Sequence, residues 1–352
     1  MGLTSATTPL RISRGGLAPY VSLFRLDHSI KQIFVVPGMV IAASLTDTAP
    51  SVALFLRIAV GLAAVVAVAS SNYVLNELLD APFDRLHPTK CFRPAAQGSI
   101  NIPLAYLQWI ACAVVGFLLA EQVSVEVFLS VLSLWIMGCF YNIPPIRMKD
   151  IPYLDVLSES INNPIRLCVG WYIVSATVVP PVSLLVAYWM LGAYFMALKR
   201  FSEYRQIGCE PAMRYRRSFE FYTEEALLTS VVFYAATAML FFGAFVMRYR
   251  MEMVLAFPIV ALLMAVYFDL AFAPDSPVQH PEKLYREPRL MALLTACAVV
   301  LVVTSFVDLP WLARVFPKSP VHEPGYSRAN TAGVKSDAPV GTPIRTPSTE
   351  MQ

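Results

Sequence analysis

Asn72, Asn76, Asp80 and Asp84 recur every fourth residue at the end of a long apolar segment, a spacing that lines them up on one face of a continuous helix. An Asp at the centre of a membrane helix costs roughly 2.5–3.5 kcal/mol on insertion scales, so acids beside such a segment need a partner. Magnesium suits this set because it takes hard oxygen ligands, often one or two carboxylates, and completes its shell with water and substrate phosphates. Pro82 removes a backbone donor and biases Ala81 away from helical angles. The helix is therefore expected to end or kink between Asp80 and Asp84, with Asp84 carried on the loop. Helix-end capping with loop solvation is the competing account of the whole set, and Asn72 and Glu77 taken singly fit a structural role as well as a functional one.

Immediately downstream runs Arg85-Leu86-His87-Pro88-Thr89-Lys90-Cys91-Phe92-Arg93-Pro94. Its two prolines stiffen it, and its cations suit a phosphate, Arg as a bidentate fork and Lys as a point charge. A second polar cluster, Tyr141, Arg147, Lys149, Asp150 and Asp155, leads into a stripe of Glu159, Asn162 and Arg166 that faces a bundle interior rather than lipid. Arg166 needs an anionic partner there, with an ion pair to Glu159 as the structural alternative. A third cluster, Lys199-Arg200-Phe201-Ser202-Glu203-Tyr204-Arg205, stands where another apolar segment ends. Snorkelling explains Lys199 and Arg200 without a ligand. It is the convergence of three such clusters on one face that points to a site for a metal and a phosphorylated substrate.

The elements that must position these clusters are membrane spans. The chain is 57% apolar and 14% charged, against about 25% charged in soluble domains. Apolar runs mark nine candidate spans near 33–46, 52–79, 101–121, 125–143, 154–176, 179–198, 226–247, 253–272 and 290–309. The first is short and carries Pro37 and Gly38. Residues 1–24 are polar and mixed, unlike a cleavable signal peptide, and are expected to be retained. From about Lys318 the composition turns to Pro, Ser, Thr and Gly, which predicts a disordered tail over 318–352. Six scattered cysteines make no CxxC, and four histidines make no i,i+4 pair, so neither a zinc centre nor a disulfide framework is indicated. The loops after even-numbered spans hold nearly all the Lys and Arg, which places those loops and the N-terminus in the cytoplasm.

The Asn76, Asp80, Asp84 spacing resembles the first aspartate motif of the UbiA-type intramembrane prenyltransferase superfamily, with Glu77 where that motif usually has Asp. The resemblance runs over about residues 25–310. It implies an all-α membrane protein of about nine transmembrane helices bundled around a central cavity that opens to the cytoplasmic face, in one transferase domain over 25–312. His87-Pro88-Thr89-Lys90 with Arg93-Pro94, Asp155 with Arg166, and Lys199-Arg200 with Glu203 look most like decaprenyl-phosphate phosphoribosyltransferases, which join a polyprenyl phosphate to phosphoribosyl diphosphate. There are departures: Asp150 and Asp155 are five apart instead of four, the Tyr141-to-Asp155 connection is longer, and Asn162-Asn163-Pro164 replaces small residues.

The resemblance further implies Mg2+ held by Asn76, Asp80, Asp84 and Asp155, with Asp80, Asp84 and Asp155 catalytic. It implies substrate binding by Asn76, Lys90, Arg93, Tyr141, Arg166, Lys199, Arg200 and Glu203. The reaction would displace diphosphate, and a lipid phosphate as nucleophile would need no strong general base. The expected partners are a polyprenyl lipid lying in a lateral groove, a diphosphate-bearing substrate and membrane lipid, without nucleic acid, in a bacterial cytoplasmic membrane. Two other functions compete. Prenyl transfer from a polyprenyl diphosphate to an aromatic or other small acceptor is one, although such members usually lack the HPxK element. A transporter is the other, although transporters place polar groups near the bilayer midplane on interrupted helices, whereas these acids cluster at helix ends.

Overall fold

The computed structural model describes residues 16–86, 90–208, 217–274, 276–279 and 281–316. His87, Pro88, Thr89, Cys209, most of the polar N-terminal segment and the tail expected from 318 lie outside the described residues. Contacts divide the chain into Met1–Asp308 and a small second unit, Leu309–Gln352. Among the described residues the structure is α-helix and 3-10 helix without a strand. In the first unit the α-helices are α1 (Ala18–Leu23), α2 (Val36–Leu45), α3 (Val52–Asp84), α4 (Pro94–Gln97), α5 (Ile102–Glu121), α6 (Val125–Asn142), α7 (Leu154–Ser160), α8 (Asn162–Val174), α9 (Val182–Ile207), α10 (Glu224–Tyr249), α11 (Phe257–Leu270) and α12 (Pro288–Phe306). The second unit contributes α13 (Pro310–Val315).

Seven helical stretches are long and apolar enough to cross a membrane: α3, α5, α6, α9 through Gln206, α10, Met251–Leu270 and α12. The other two expected spans are broken. The first divides into a 3-10 segment, Leu26–Val35, and α2, whose start is set by Pro37. The fifth divides into α7 and α8 at Ile161. Pro164 sits in the first turn of α8, where its missing N–H leaves no helical bond unmade within that helix.

Ser51 caps α3 by accepting from the Leu54 N–H at 3.1 Å. The helix then runs 33 residues with Pro82 inside it, so the expected break before Asp84 does not occur. The reason is position: Pro82 falls in the last turn, where only the bond to the Leu78 carbonyl is forfeited, and Arg85 N–H still closes on Ala81 O at 3.3 Å. At 1.5 Å per residue α3 is roughly 50 Å long, well beyond a hydrocarbon core of about 30 Å. Its polar end can therefore stand outside the apolar slab while the stripe stays straight.

That stripe stitches α3 to its neighbours. Asn72 Nδ2 donates to the Leu134 carbonyl of α6 at 2.9 Å, which makes it a structural residue. Gly138 of α6 gives it room, since a Cβ there would lie 2.2 Å from Asn72 Cγ. Glu77 is buried and accepts the Ala95 N–H at 3.3 Å, pinning the start of α4. Between α2 and the turn before it on one side and α8 on the other, Gly38 and Gly170 let backbones touch. Built Cβ atoms would lie 2.1 Å from Leu167 O and 2.0 Å from Val35 O.

Gly170→Ala is expected to destabilise the protein by roughly 1–3 kcal/mol, because backbone rather than a mobile side chain blocks the methyl. Gly243→Ala in α10, where the nearest atom is a Phe257 ring carbon at 3.7 Å, should instead be neutral or stabilising by up to about 1 kcal/mol. Melting temperatures of the detergent-solubilised variants check both signs.

Candidate active site

At the end of α3, Asp80 Oδ1 accepts from Lys149 Nζ at 2.5 Å and from Arg147 Nη2 at 2.9 Å. Arg147 Nε is 2.8 Å from Asp150 Oδ2. Lys149 also donates to Asn142 Oδ1 at 2.7 Å, and the same oxygen takes Asn76 Nδ2 at 2.6 Å. One turn on, Asp84 Oδ2 holds Arg93 Nη1 at 2.6 Å. A cavity of about 30 Å³ opens among Asp80, Phe83, Asp84, Lys90, Arg147, Lys149 and Asp150, room for a guest of water size or slightly more. Asp84 thus rides on the helix, paired with the basic loop, while Arg85 Nε fastens that loop by donating to Ala96 O at 3.0 Å.

Asp155 belongs to a second knot. It is fully buried and receives Arg200 Nε at 3.0 Å, Ser218 Oγ at 3.3 Å and Tyr222 Oη at 2.6 Å. Tyr222 Oη in turn accepts the Tyr153 N–H at 2.7 Å. Arg200 also reaches Glu159 Oε2 at 2.9 Å and Glu203 Oε2 at 3.4 Å, and Tyr141 Oη donates to Glu159 at 3.1 Å. Burial first, and the Asp155 carboxylate second, hold the Tyr222 phenol well above its ordinary 10.0, so it stays neutral and donates.

Arg166 does not pair with Glu159. It is buried and donates through Nε to Gln32 Oε1 at 3.0 Å, and among the described residues it makes no other hydrogen bond or ion pair. Lys199 also lacks an ion pair among the described residues and lies in the fields of Glu159, Lys31, Arg200 and Glu203. The predicted residues therefore fall into three groups: Asn76, Asp80, Asp84, Lys90 and Arg93 around the end of α3; Tyr141, Asp155, Arg200 and Glu203 in the Arg200 knot; Arg166 and Lys199 in the interior.

Asn76, Asp80 and Asp84 are hard oxygen donors at helical spacing beside a cavity, a donor set suited to Mg2+ with water and phosphate completing the shell. Asp155 stands differently, with its oxygens committed to three other donors. No three Asp, Glu, His or Cys side chains meet at a potential metal point among the described residues. Sequence reasoning missed Asn142, Ser218, Tyr222 and Gln32. Asn142 carried a signal, a polar residue closing an apolar span, whereas Ser218 and Tyr222 come from a distant turn and carried none.

Elsewhere, a cavity of about 200 Å³ between α8 and α9 is walled by Ile161, Pro164, Ile165, Cys168, Leu185, Val186 and Trp189. Seven membrane-length apolar helices, with ion-paired polar groups gathered at helix ends, define an integral membrane protein. The chain belongs to the UbiA prenyltransferase family, whose model matches residues 33–294, and it is a prenyltransferase-type enzyme. It is 29% identical over 175 residues to a decaprenyl-phosphate phosphoribosyltransferase of Mycolicibacterium smegmatis, covering 49% of this chain and 52% of that one. A protein of the same name from Corynebacterium glutamicum is 30% identical over 164 residues, covering 44% of this chain and 46% of that one. The matches thus span about half the length of these relatives. The structure of a UbiA homologue from Archaeoglobus fulgidus bound to GPP and Mg2+ superposes with a TM-score of 0.62 at 20% identity, over 82% of this chain and 98% of the other. At that identity the likeness concerns the fold.

Tyr222→Phe removes one hydrogen bond to a buried carboxylate and should cost about 1.5–3 kcal/mol. The neutral phenol's contribution is complete below pH 10.0, the ordinary value, and is lost as pH rises toward the elevated one. Wild-type protein should therefore lose stability above that pH more steeply than Tyr222→Phe, as read by melting temperature across an alkaline pH series.

Proposed function

We propose that this protein is a Mg2+-dependent transferase that moves a 5-phosphoribosyl group from phosphoribosyl diphosphate to a polyprenyl phosphate, displacing diphosphate. The observation that carries this reading is the presence of two cationic loci of different kinds. One surrounds Asp80 and Asp84 at the cavity beside α3. The other consists of Arg166 and Lys199, which both lie in the field of Glu159 and make no carboxylate ion pair among the described residues. Two phosphorylated substrates ask for two such loci, whereas prenylation of a neutral acceptor asks for one. The names of the two half-length relatives agree with this choice.

In this mechanism Asn76, Asp80 and Asp84 would hold the metal, which when bound neutralises charge building on the leaving diphosphate. Lys90, Arg93, Arg147 and Lys149 line the α3 end and exchange carboxylate partners for diphosphate oxygens. The lipid phosphate oxygen attacks the anomeric carbon as the bond to diphosphate breaks, and Arg166 and Lys199 hold the incoming anion. The Arg200 knot orients Glu159 and the start of α7 without touching the reacting atoms. The apolar cavity between α8 and α9 has the wall chemistry an isoprenoid chain selects. An active face turned toward the cytoplasm is the orientation that the basic-loop asymmetry supports.

A second reading, prenyl transfer from a polyprenyl diphosphate to a small acceptor, draws on the GPP bound to the Archaeoglobus fulgidus homologue. Membranes containing the protein, incubated with ribose-labelled phosphoribosyl diphosphate, Mg2+ and a polyprenyl phosphate, should give label in the lipid extract; an unlabelled extract defeats the first reading. Chelation should abolish transfer and Mg2+ restore it. Asp80→Asn and Asp84→Asn are each expected to lower the rate by roughly 10²–10³-fold, the scale set by losing one electrostatic group at a developing charge.

A further inference from the structure

The interior cationic locus includes a residue that the sequence pattern did not single out. Gln32, on the 3-10 segment Leu26–Val35, is only 5% exposed. Its Oε1 accepts from Arg166, while its amide nitrogen, a double donor, has no hydrogen-bond partner. A buried donor left unsatisfied costs about 1–3 kcal/mol, so an amide kept there calls for an acceptor. The group it contacts is a cation. Arg166 forms no ion pair, Lys31 precedes Gln32 in the chain, and Lys199 lies within the field of Lys31. The nearby carboxylate, Glu159, is bound to Arg200 at 2.9 Å and to Tyr141 at 3.1 Å.

An amide at position 32 leaves Arg166 oriented but uncancelled. A carboxylate in the same place would hold the guanidinium equally well and neutralise it. Gln32 therefore combines an acceptor that holds Arg166 with an unsatisfied buried donor on the same side chain, an arrangement suited to a ligand whose oxygens only accept.

We propose that Gln32 and Arg166 form a recognition site for a phosphate monoester dianion, Gln32 Nε2 and the terminal Arg166 nitrogens donating to its oxygens, with Lys199 supplying charge. This deepens the phosphoribosyl-transfer reading and rests on it for the identity of the ligand. That reaction contains two monoesters, the lipid phosphate and the 5-phosphate of the ribosyl donor.

The test uses the full chain in detergent micelles, with farnesyl phosphate and ribose 5-phosphate as probes and farnesol and ribose as uncharged controls, read by calorimetry. Wild type should bind at least one of the phosphates and neither control. Gln32→Glu keeps the acceptor for Arg166 but replaces the donor with negative charge. It should weaken that binding at least about tenfold, equivalent to about 1.4 kcal/mol, raise the KM of the corresponding substrate more than it lowers kcat, and leave the melting temperature near that of wild type. Gln32→Met, which lacks the donor without adding charge, should lose less. The probe that is lost identifies the source of the monoester. If wild type binds neither phosphate, or if both variants bind as wild type does, the site is refuted even where labelled ribosyl transfer succeeds. If binding is lost in Gln32→Glu while no ribosyl label reaches lipid, the site stands and the transfer reading falls.

Discussion

Breaking a buried ion pair strands a charge, and Arg200, 1% exposed and ringed by three carboxylates, organises its part of this fold by that constraint. It draws Asp155 and Glu159 from α7 and Glu203 from its own helix around one cation. Asp155 then fixes Ser218 and Tyr222, so the turn before α10 is tied to the start of α7 through a single carboxylate. Losing either member of the Arg200–Asp155 pair would leave a buried charge unmatched, an effect on the order of 3–5 kcal/mol. The interior geometry, including the place left for Arg166 and Lys199, follows from that knot.

The α3 end is organised on a different plan. Its acids meet cations from two separate stretches, the basic loop through Arg93 and the segment after α6 through Arg147 and Lys149. Asp80, Asp84, Arg147 and Lys149 border a cavity, whereas the partners of Asp155 are packed around it in the buried interior. Similar residue types thus build two different arrangements, one closed around a single guanidinium and one facing a cavity.

Much of this was legible in the sequence. The four-residue spacing from Asn72 to Asp84 marked one helical face, and apolar runs marked all the long helices, because both are local patterns. Pro82 misled, since its effect depends on whether the helix continues far enough to need the bond it lacks. The structural alternative for Arg166, an ion pair to Glu159, does not form for a tertiary reason: Glu159 is taken by Arg200 and Tyr141, which reach it from other helices. The resemblance grouped Asp155 with Asp80 and Asp84, and only three-dimensional packing reveals its engagement with Ser218 and Tyr222. Gln32 was invisible because a lone amide in an apolar run has no periodicity to announce it.

Lys149 brings an ammonium to oxygens of Asp80 and Asn142 at 2.5 and 2.7 Å. The acids at the end of α3 therefore carry their counter-ions within the chain, and the fold can form and insert without an external ion, unlike small domains whose folding is metal binding. Under the proposed function, an arriving metal ion would compete with a tethered ammonium for the same carboxylate. Its apparent affinity is the difference between two occupancies, so anything that draws Lys149 away, above all an anionic substrate, would tighten the hold of Asp80 on the newcomer.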